Sequence, residues 1–126
     1  MPIQILVLDD EKIVGERLKA SLEKDGHTLE TFIDPVEALA RIKEKVFDVV
    51  ITDIRMDDMD GIEILTAARE QSKKTKVIMI TGYATLEVAR ESLSKGAFDF
   101  IAKPFKLMEI REAIEKAEDA LKAEGN

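Results

Sequence analysis

Apolar residues follow two alternating patterns along this chain. Five short segments, most of them largely apolar, end in acidic or turn residues, and a short apolar run of this kind is typical of a strand buried in a parallel sheet. After each run, apolar residues recur every three or four positions, which predicts an amphipathic helix. The predicted strands cover residues 3–8, 28–33, 47–52, 76–80 and 98–102.

The predicted helices are recognisable by their apolar stripes. The first covers about residues 12–24 and stops at Asp25-Gly26, a sequence that ends helices. The last follows residue 106 and has an apolar face long enough for a final covering helix. The stripes are Val14, Leu18 and Leu22 in the first helix, Ile62, Leu65 and Ala68 in the third, and Leu107, Ile110, Ile114, Ala117 and Leu121 in the last.

Side chains able to cap a helix precede the second, third and fourth predicted helices. Asp34 stands before Pro35, and proline is favoured at the first helical position. Asp60 and Thr85 occupy the same place before the third and fourth helices, and Gly96 ends the fourth. These signals fix where the helices begin more firmly than the apolar pattern does.

Strand and helix alternate five times with short connections, so the chain is predicted to be an α/β protein. This (βα)5 order favours one doubly wound, parallel five-stranded sheet with helices on both faces. We expect a single domain over residues 1–122. The charged residues 123–126 are expected to be a frayed tail.

Composition excludes several classes of function. The 126 residues carry a formal net charge of -7, which disfavours direct nucleic-acid binding because phosphate contacts need basic residues. No apolar run approaches the ~20 residues of a membrane-spanning helix, so no membrane contact is expected. The absence of cysteine excludes thiol chemistry and fits a cytoplasmic location. The single histidine, His27, follows a turn glycine and is expected to be a solvated loop residue.

Chemically useful side chains follow four of the five predicted strands. Asp9 and Asp10 follow the first strand, Asp53 the third, Thr81 the fourth and Lys103 the fifth. The carboxyl ends of parallel strands share one edge of a sheet, where α/β proteins place their ligands. We therefore expect these residues to converge.

Three converging carboxylates disfavour one another's charge unless a cation is bound. An all-oxygen ligand set suits Mg²⁺, or Mn²⁺ as an alternative. Lys103 adds a positive charge and Thr81 a hydroxyl donor. Together they suit a phosphoryl group attached to a carboxylate, a known form of nucleophilic catalysis.

The set Asp9-Asp10, Asp53, Thr81 and Lys103-Pro104 resembles the receiver (response-regulator, CheY-like) domain of two-component signalling. The resemblance covers essentially the whole chain. It implies a flavodoxin-like strand order of 2-1-3-4-5 and a regulatory phosphoprotein rather than an enzyme.

The same resemblance assigns roles at the acidic end of the site. Asp53 would accept a phosphoryl group from a phosphohistidine on a sensor histidine kinase or a histidine phosphotransfer protein. Asp10, Asp53 and the backbone carbonyl of Arg55 would bind Mg²⁺ directly, and Asp9 would bind it through water.

Further roles follow from the resemblance at the ends of the fourth and fifth strands. Thr81, the backbone N–H of Gly82, and Lys103 would bind phosphate oxygens. Phe100 would turn inward with Thr81 as a switch, and Arg55 and Tyr83 would tune the phosphate lifetime. The surface of helix 4, strand 5 and helix 5 would then bind a downstream effector or form a homodimer.

Two details refine the resemblance. The segments Thr81–Thr85 and Gly96–Phe105 are most similar to receivers that precede ATPase-type transcription activators. The family often has proline four residues after the phosphoacceptor, whereas this chain has Asp57 there. The loop after Asp53 therefore loses a rigid turn residue and gains negative charge.

Other functions fit parts of the same pattern. A Mg²⁺-dependent phosphohydrolase could use Asp53 as its nucleophile, but Arg55 stands where its second acid is expected. A docking module with a vestigial acidic pocket needs no phosphorylation at all. In isolation, Asp9-Asp10 is also typical of a turn with a helix cap, and Lys103 of a surface lysine.

Overall fold

Five strands and five helices alternate along the chain, as the apolar pattern predicts. The computed structural model describes residues 2–54 and 60–125. The strands are β1 (Gln4–Leu8), β2 (Thr28–Phe32), β3 (Val49–Asp53), β4 (Lys76–Thr81) and β5 (Asp99–Ala102). The helices are α1 (Lys12–Lys24), α2 (Pro35–Glu44), α3 (Gly61–Gln71), α4 (Leu86–Ser94) and α5 (Leu107–Gly125).

The strands form one sheet in the order β2-β1-β3-β4-β5. Every neighbouring pair is parallel. This order and direction confirm the predicted α/β fold. They place β1 and β3 side by side in the interior, with their carboxyl ends at the same edge.

Apolar residues of the sheet pack on both faces. In β1, Ile5 and Val7 belong to a core cluster with α1 and α5, whereas Leu6 and Leu8 belong to a second cluster with α2 and α3. Burial on two faces explains why the interior strands β1, β3 and β4 are mainly apolar, whereas the edge strand β2 is only partly buried. All five residues of β3 are buried, so Asp53 ends a strand with no solvated face.

The three predicted helix caps are confirmed. Asp34, Asp60 and Thr85 each accept a hydrogen bond from a backbone N–H two or three residues later, at 2.9, 2.9 and 3.2 Å. Each bond satisfies a backbone donor that the first turn of a helix leaves unpaired.

Two helical stripes differ from the prediction. In α3 the buried stripe runs through Ile64, Leu65 and Ala68, and Ile62 is only half-buried. Leu65 and Ala68 are buried as predicted, and Ile62 packs against the edge of the same core cluster. In α5, Leu107 is 41% exposed, because it is the first residue of the helix and lies at the edge of the core.

Phe98 and Phe100 do not share a face, contrary to a simple strand alternation. Phe98 packs against the α1/α5 cluster and Phe100 against the α2/α3 cluster. The alternation fails because β5 begins at Asp99, which leaves Phe98 outside the strand.

His27 is buried, so its prediction as a solvated loop residue is wrong. Its ring Nδ1 accepts a hydrogen bond from the backbone N–H of Ile3 at 3.3 Å. Its Nε2 lies 3.3 Å from a carboxylate oxygen of Glu118 on α5. The long final helix covers this end of the sheet, which the local sequence around His27 does not reveal.

Helix α5 continues through Gly125, so most of the predicted frayed tail is helical. Glu124 forms an ion pair with Lys76, whose side chain is almost fully buried at the start of β4. That contact attaches the last turn to the sheet. Neither α5 nor any other helix in residues 2–54 and 60–125 combines the length and apolarity needed to cross a membrane.

Candidate functional site

Strand register brings the predicted site residues to one edge of the sheet. β1 and β3 pair up to the residues directly before Asp9 and Asp53. β4 and β5 pair up to Thr81 and the residue directly before Lys103. The backbone N–H of Lys103 also donates to the carbonyl of Thr81 at 2.8 Å. Residues 9, 53, 81 and 103 are thus held by backbone pairing.

Asp9, Asp10 and Asp53 form a carboxylate cluster. Each offers an oxygen, and these oxygens all lie within 4.8 Å of one another. Asp9 and Asp53 are 1% and 5% exposed, whereas Asp10 is exposed. Buried carboxylates this close repel one another, and hard oxygen ligands of this kind suit Mg²⁺. The residues present therefore fit the divalent cation that the sequence implied.

The positively charged side chain of Lys103 lies next to this carboxylate cluster. Its Nζ lies 2.8 Å from Asp53 Oδ2, 2.7 Å from Asp9 Oδ2 and 3.2 Å from Glu11 Oε1. Asp10 adds a fourth carboxylate to this edge, so four carboxylates and one ammonium group carry a formal charge of -3 when all are ionised. One lysine cannot neutralise the site.

Burial raises the pKa of Asp9 above its ordinary value of 3.8, and the nearby Asp53 charge acts in the same direction. Hydrogen bonds from Lys103 and from the Glu11 backbone only partly oppose this. Burial would lower the pKa of Lys103, but its hydrogen bonds to Asp53 and Asp9 outweigh burial and raise it. Lys103 therefore stays charged, and the site favours an additional cation.

Thr81 is fully buried at the end of β4. Its hydroxyl oxygen accepts a hydrogen bond from the backbone N–H of Tyr83 at 3.0 Å, and an accepting hydroxyl keeps its own hydrogen to donate. A Cβ added at Gly82 would meet nothing within 4 Å, so there is open space on that side of the Gly82 backbone. Tyr83 itself is 60% exposed.

Phe100 lies in β5, three residues before Lys103. It is half-buried and packs against the α2/α3 cluster, as does Val88 of α4. Phe100 and Val88 thus border the same core cluster.

A family model described as the response regulator receiver domain matches residues 5–115. The chain belongs to the response regulator receiver domain family. Receiver domains are signalling parts of two-component regulators, which supports a regulatory domain rather than a classical enzyme.

The amino-acid sequence of this receiver domain is similar to those of several curated regulatory proteins. It is 36% identical over 115 residues to the transcriptional regulatory protein ZraR of Salmonella typhimurium, covering 91% of this chain and 26% of that protein. It is 38% identical over 114 residues to the regulatory protein AtoC of Escherichia coli, covering 90% and 25%. The chain thus spans about a quarter of the length of these curated relatives.

A solved structure supports the same assignment over the full domain. The CheY-like receiver domain protein of Methanospirillum hungatei JF-1 has a TM-score of 0.90 and 35% sequence identity. The match covers 98% of this chain and 99% of that one. The predicted fold class is therefore confirmed.

Sequence reasoning missed two residues of this receiver site. Gly61 donates its N–H to the carbonyl of Ile54 at 2.8 Å, and a Cβ at Gly61 would lie 2.2 Å from the backbone oxygen of Asp53. Glu11 contacts Lys103, although the two are far apart in sequence. The only local signals were an Asp-Gly pair before α3 and a third acid after Asp9-Asp10.

Several predicted features of this receiver domain fall outside the described residues. They include the backbone carbonyl and side chain of Arg55, and Asp57 at the position where proline is common in the family. Their roles stay predictions.

Proposed function

We propose that this receiver domain is a phosphorylation-activated switch in which Asp53 accepts the phosphoryl group. The phosphodonor is a phosphohistidine on a sensor histidine kinase or a histidine phosphotransfer protein. The observation that carries the proposal is the position of Asp53. Its carboxylate ends a fully buried strand, lies 2.8 Å from Lys103 and lies within 4.8 Å of two more aspartates.

The acidic cluster supports a divalent cation as a cofactor of this reaction. Asp10, Asp53 and the backbone carbonyl of Arg55 would bind Mg²⁺ (or Mn²⁺) directly, with Asp9 binding through water. The bound ion would offset the repulsion between the carboxylates and the incoming phosphoryl oxygens, since phosphoryl transfer depends mainly on positioning and charge.

The cationic and hydroxyl groups of the site fit the product of the transfer. A bond forms between an Asp53 oxygen and phosphorus while the phosphorus–nitrogen bond breaks and its electron pair stays on the donor imidazole. Lys103 is already in contact with Asp53 and can bind a phosphoryl oxygen. The Thr81 hydroxyl and the Gly82 N–H would bind the others, and Arg55 and Tyr83 would tune how long the phosphoryl group persists.

Weak packing of α4 supports a switch on that side of the molecule. The helix buries one residue, Ser92, whereas each of the other four helices buries three or four. Elements with little buried apolar surface open at the lowest free energy. Movement of Thr81 toward the phosphate, with Phe100 following it, would therefore shift α4 more easily than any other helix.

The signal would leave through the surface of α4, β5 and α5, which would bind an effector or a second copy of the domain. Its charges are mixed, which suits a polar and reversible contact. They include Arg90, Lys95, Lys106, Arg111, Glu87, Glu91 and Glu109. Similarity to the transcriptional regulatory protein ZraR favours a cytoplasmic transcription regulator as the setting, with DNA contacts made outside these residues.

Intact mass spectrometry tests the phosphoacceptor. After incubation with acetyl phosphate and Mg²⁺, we expect wild type to gain one phosphoryl group and Asp53→Asn to gain none. Asp119→Asn, which removes an exposed acid from α5, should behave like wild type. Absence of any gain with acetyl phosphate, phosphoramidate and a phosphorylated kinase would reject the proposal. Steady turnover of a small phosphoester would favour a phosphohydrolase instead.

A further inference from the structure

Glu11 occupies the N-cap position of α1 without capping the helix. Its backbone is extended, and its side chain makes no cap hydrogen bond, although this position usually supplies one. Its own N–H donates to Asp9 Oδ1 at 2.8 Å, which fixes residue 11 beside the acidic cluster. The carboxylate instead lies 3.2 Å from Lys103 Nζ.

The three acidic partners of Lys103 are not equivalent. Asp9 and Asp53 are buried and belong to the cluster that can bind a metal ion. The Glu11 side chain is 61% exposed and is not part of that cluster. A metal ion bound by the cluster would coordinate Asp9 and Asp53. Of the described acidic partners of Lys103, Glu11 is therefore the one left available to the lysine.

We propose that Glu11 is a positioning residue that holds the Lys103 ammonium at the mouth of the site when a divalent cation occupies the aspartates. The inference rests on the proposed function. A cation there repels the ammonium group and competes with it for Asp9 and Asp53. Glu11 offers Lys103 an anionic partner that involves no such competition, so it keeps the lysine beside Asp53 and favours cation binding.

A double-mutant cycle on the Mg²⁺ dissociation constant tests this role. The constants are measured by amide chemical-shift titration for wild type, Glu11→Gln, Lys103→Met and the double variant. We expect Glu11→Gln to weaken Mg²⁺ binding about three-fold, the size of an exposed ion pair, and Lys103→Met to strengthen it. In the Lys103→Met background the effect of Glu11→Gln should largely disappear, because its partner is gone.

Glu16→Gln is the matched control. Glu16 lies on the same helix and pairs with Lys12, so its loss removes one charge without touching Lys103. We expect its dissociation constant to match wild type. The chemical shift of Lys103 Nζ at saturating Mg²⁺ gives a second readout. It should differ from wild type in Glu11→Gln and match wild type in Glu16→Gln. This readout decides the question even where Lys103→Met fails to fold.

The outcomes separate the role of Glu11 from the proposed function. An equal effect of Glu11→Gln in both lysine backgrounds, or an unmoved Lys103 resonance, overturns the positioning role. A wild type that binds Mg²⁺ and is phosphorylated on Asp53 while showing no such coupling overturns only that role. A wild type that neither binds Mg²⁺ nor gains a phosphoryl group overturns the proposed function, and the inference with it.

Discussion

Gly61 packs so closely against the end of β3 that no larger residue fits there without a shift of the backbone. Gly61 returns the chain to the end of β3, where its N–H bonds the carbonyl of Ile54. A Cβ there would lie 2.2 Å from the Asp53 oxygen and 2.8 Å from the Ile54 Cα. Because both neighbours are backbone atoms, no side-chain rotation could relieve the contact.

We expect Gly61→Ala to destabilise the domain by about 3 kcal/mol, the upper range for an overpacked site. It should also slow phosphorylation of Asp53, because the strand end must shift to accommodate the methyl group. Urea denaturation and the intact-mass assay measure the two effects. Gly82→Ala is the control for stability, since its Cβ meets nothing within 4 Å, and an equal loss in both variants would contradict the steric explanation.

Among the secondary-structure elements, α4 is attached most weakly. It leaves Leu86 and Leu93 67% and 51% exposed. Its buried residue, Ser92, has a hydroxyl with no hydrogen-bond partner among the described residues. An unsatisfied buried hydroxyl costs free energy when the helix packs against the sheet. The unpaired Ser92 hydroxyl therefore weakens the attachment of α4, the helix that would transmit the signal.

Replacement of Ser92 by alanine should therefore stabilise the domain by about 1 kcal/mol, since it removes the unpaired hydroxyl and improves helix propensity. Hydrogen exchange should slow within α4 more than elsewhere. Ser94→Ala on the same helix is the control, because the Ser94 hydroxyl is exposed and donates to the carbonyl of Glu91. A destabilised Ser92→Ala would show that the hydroxyl has a favourable role.

For the molecule as a whole, charge at one edge of the sheet links stability to cation binding. The raised pKa of Asp9 means that the folded state binds a proton there more tightly than the unfolded state. Without a cation, stability from this group therefore falls as pH rises from about 3.8 through the raised pKa. The contribution of Lys103 has the same sign in a more alkaline window, because it is fully present below the ordinary pKa of 10.5 and is lost as pH rises through the raised pKa.

Addition of Mg²⁺ should raise the free energy of unfolding, by about 2.7 kcal/mol at a hundred times the dissociation constant. The increase should shrink as pH falls through the raised pKa of Asp9, because protons then compete with the metal. Thermal unfolding in Mg²⁺ is compared with unfolding in EDTA, which removes the metal, and in NaCl of equal ionic strength, which controls for screening. The comparison measures the increase in stability that is specific to Mg²⁺. An equal increase in NaCl, or an undiminished increase in Asp53→Asn, would argue against binding at the cluster.

Local sequence was enough to predict most of the elements and the residues at the strand ends. Apolar spacing, caps such as Asp34 and Asp60, and turn glycines all act through neighbours a few residues away, which is why they can be read directly. The five-residue pattern around Asp53 and Lys103 then led to the family and its strand order. Those expectations are confirmed by the fold and by the family match.

Tertiary structure alone decided how these residues meet. Four features depend on how whole elements pack: the burial of Asp9 beside an exposed Asp10, the contact between Glu11 and Lys103, the approach of Gly61 to Asp53, and the burial of His27. Such contacts depend on sheet register and on which helix covers which strand end. No periodicity within a single segment encodes them, so they became visible only in the folded molecule.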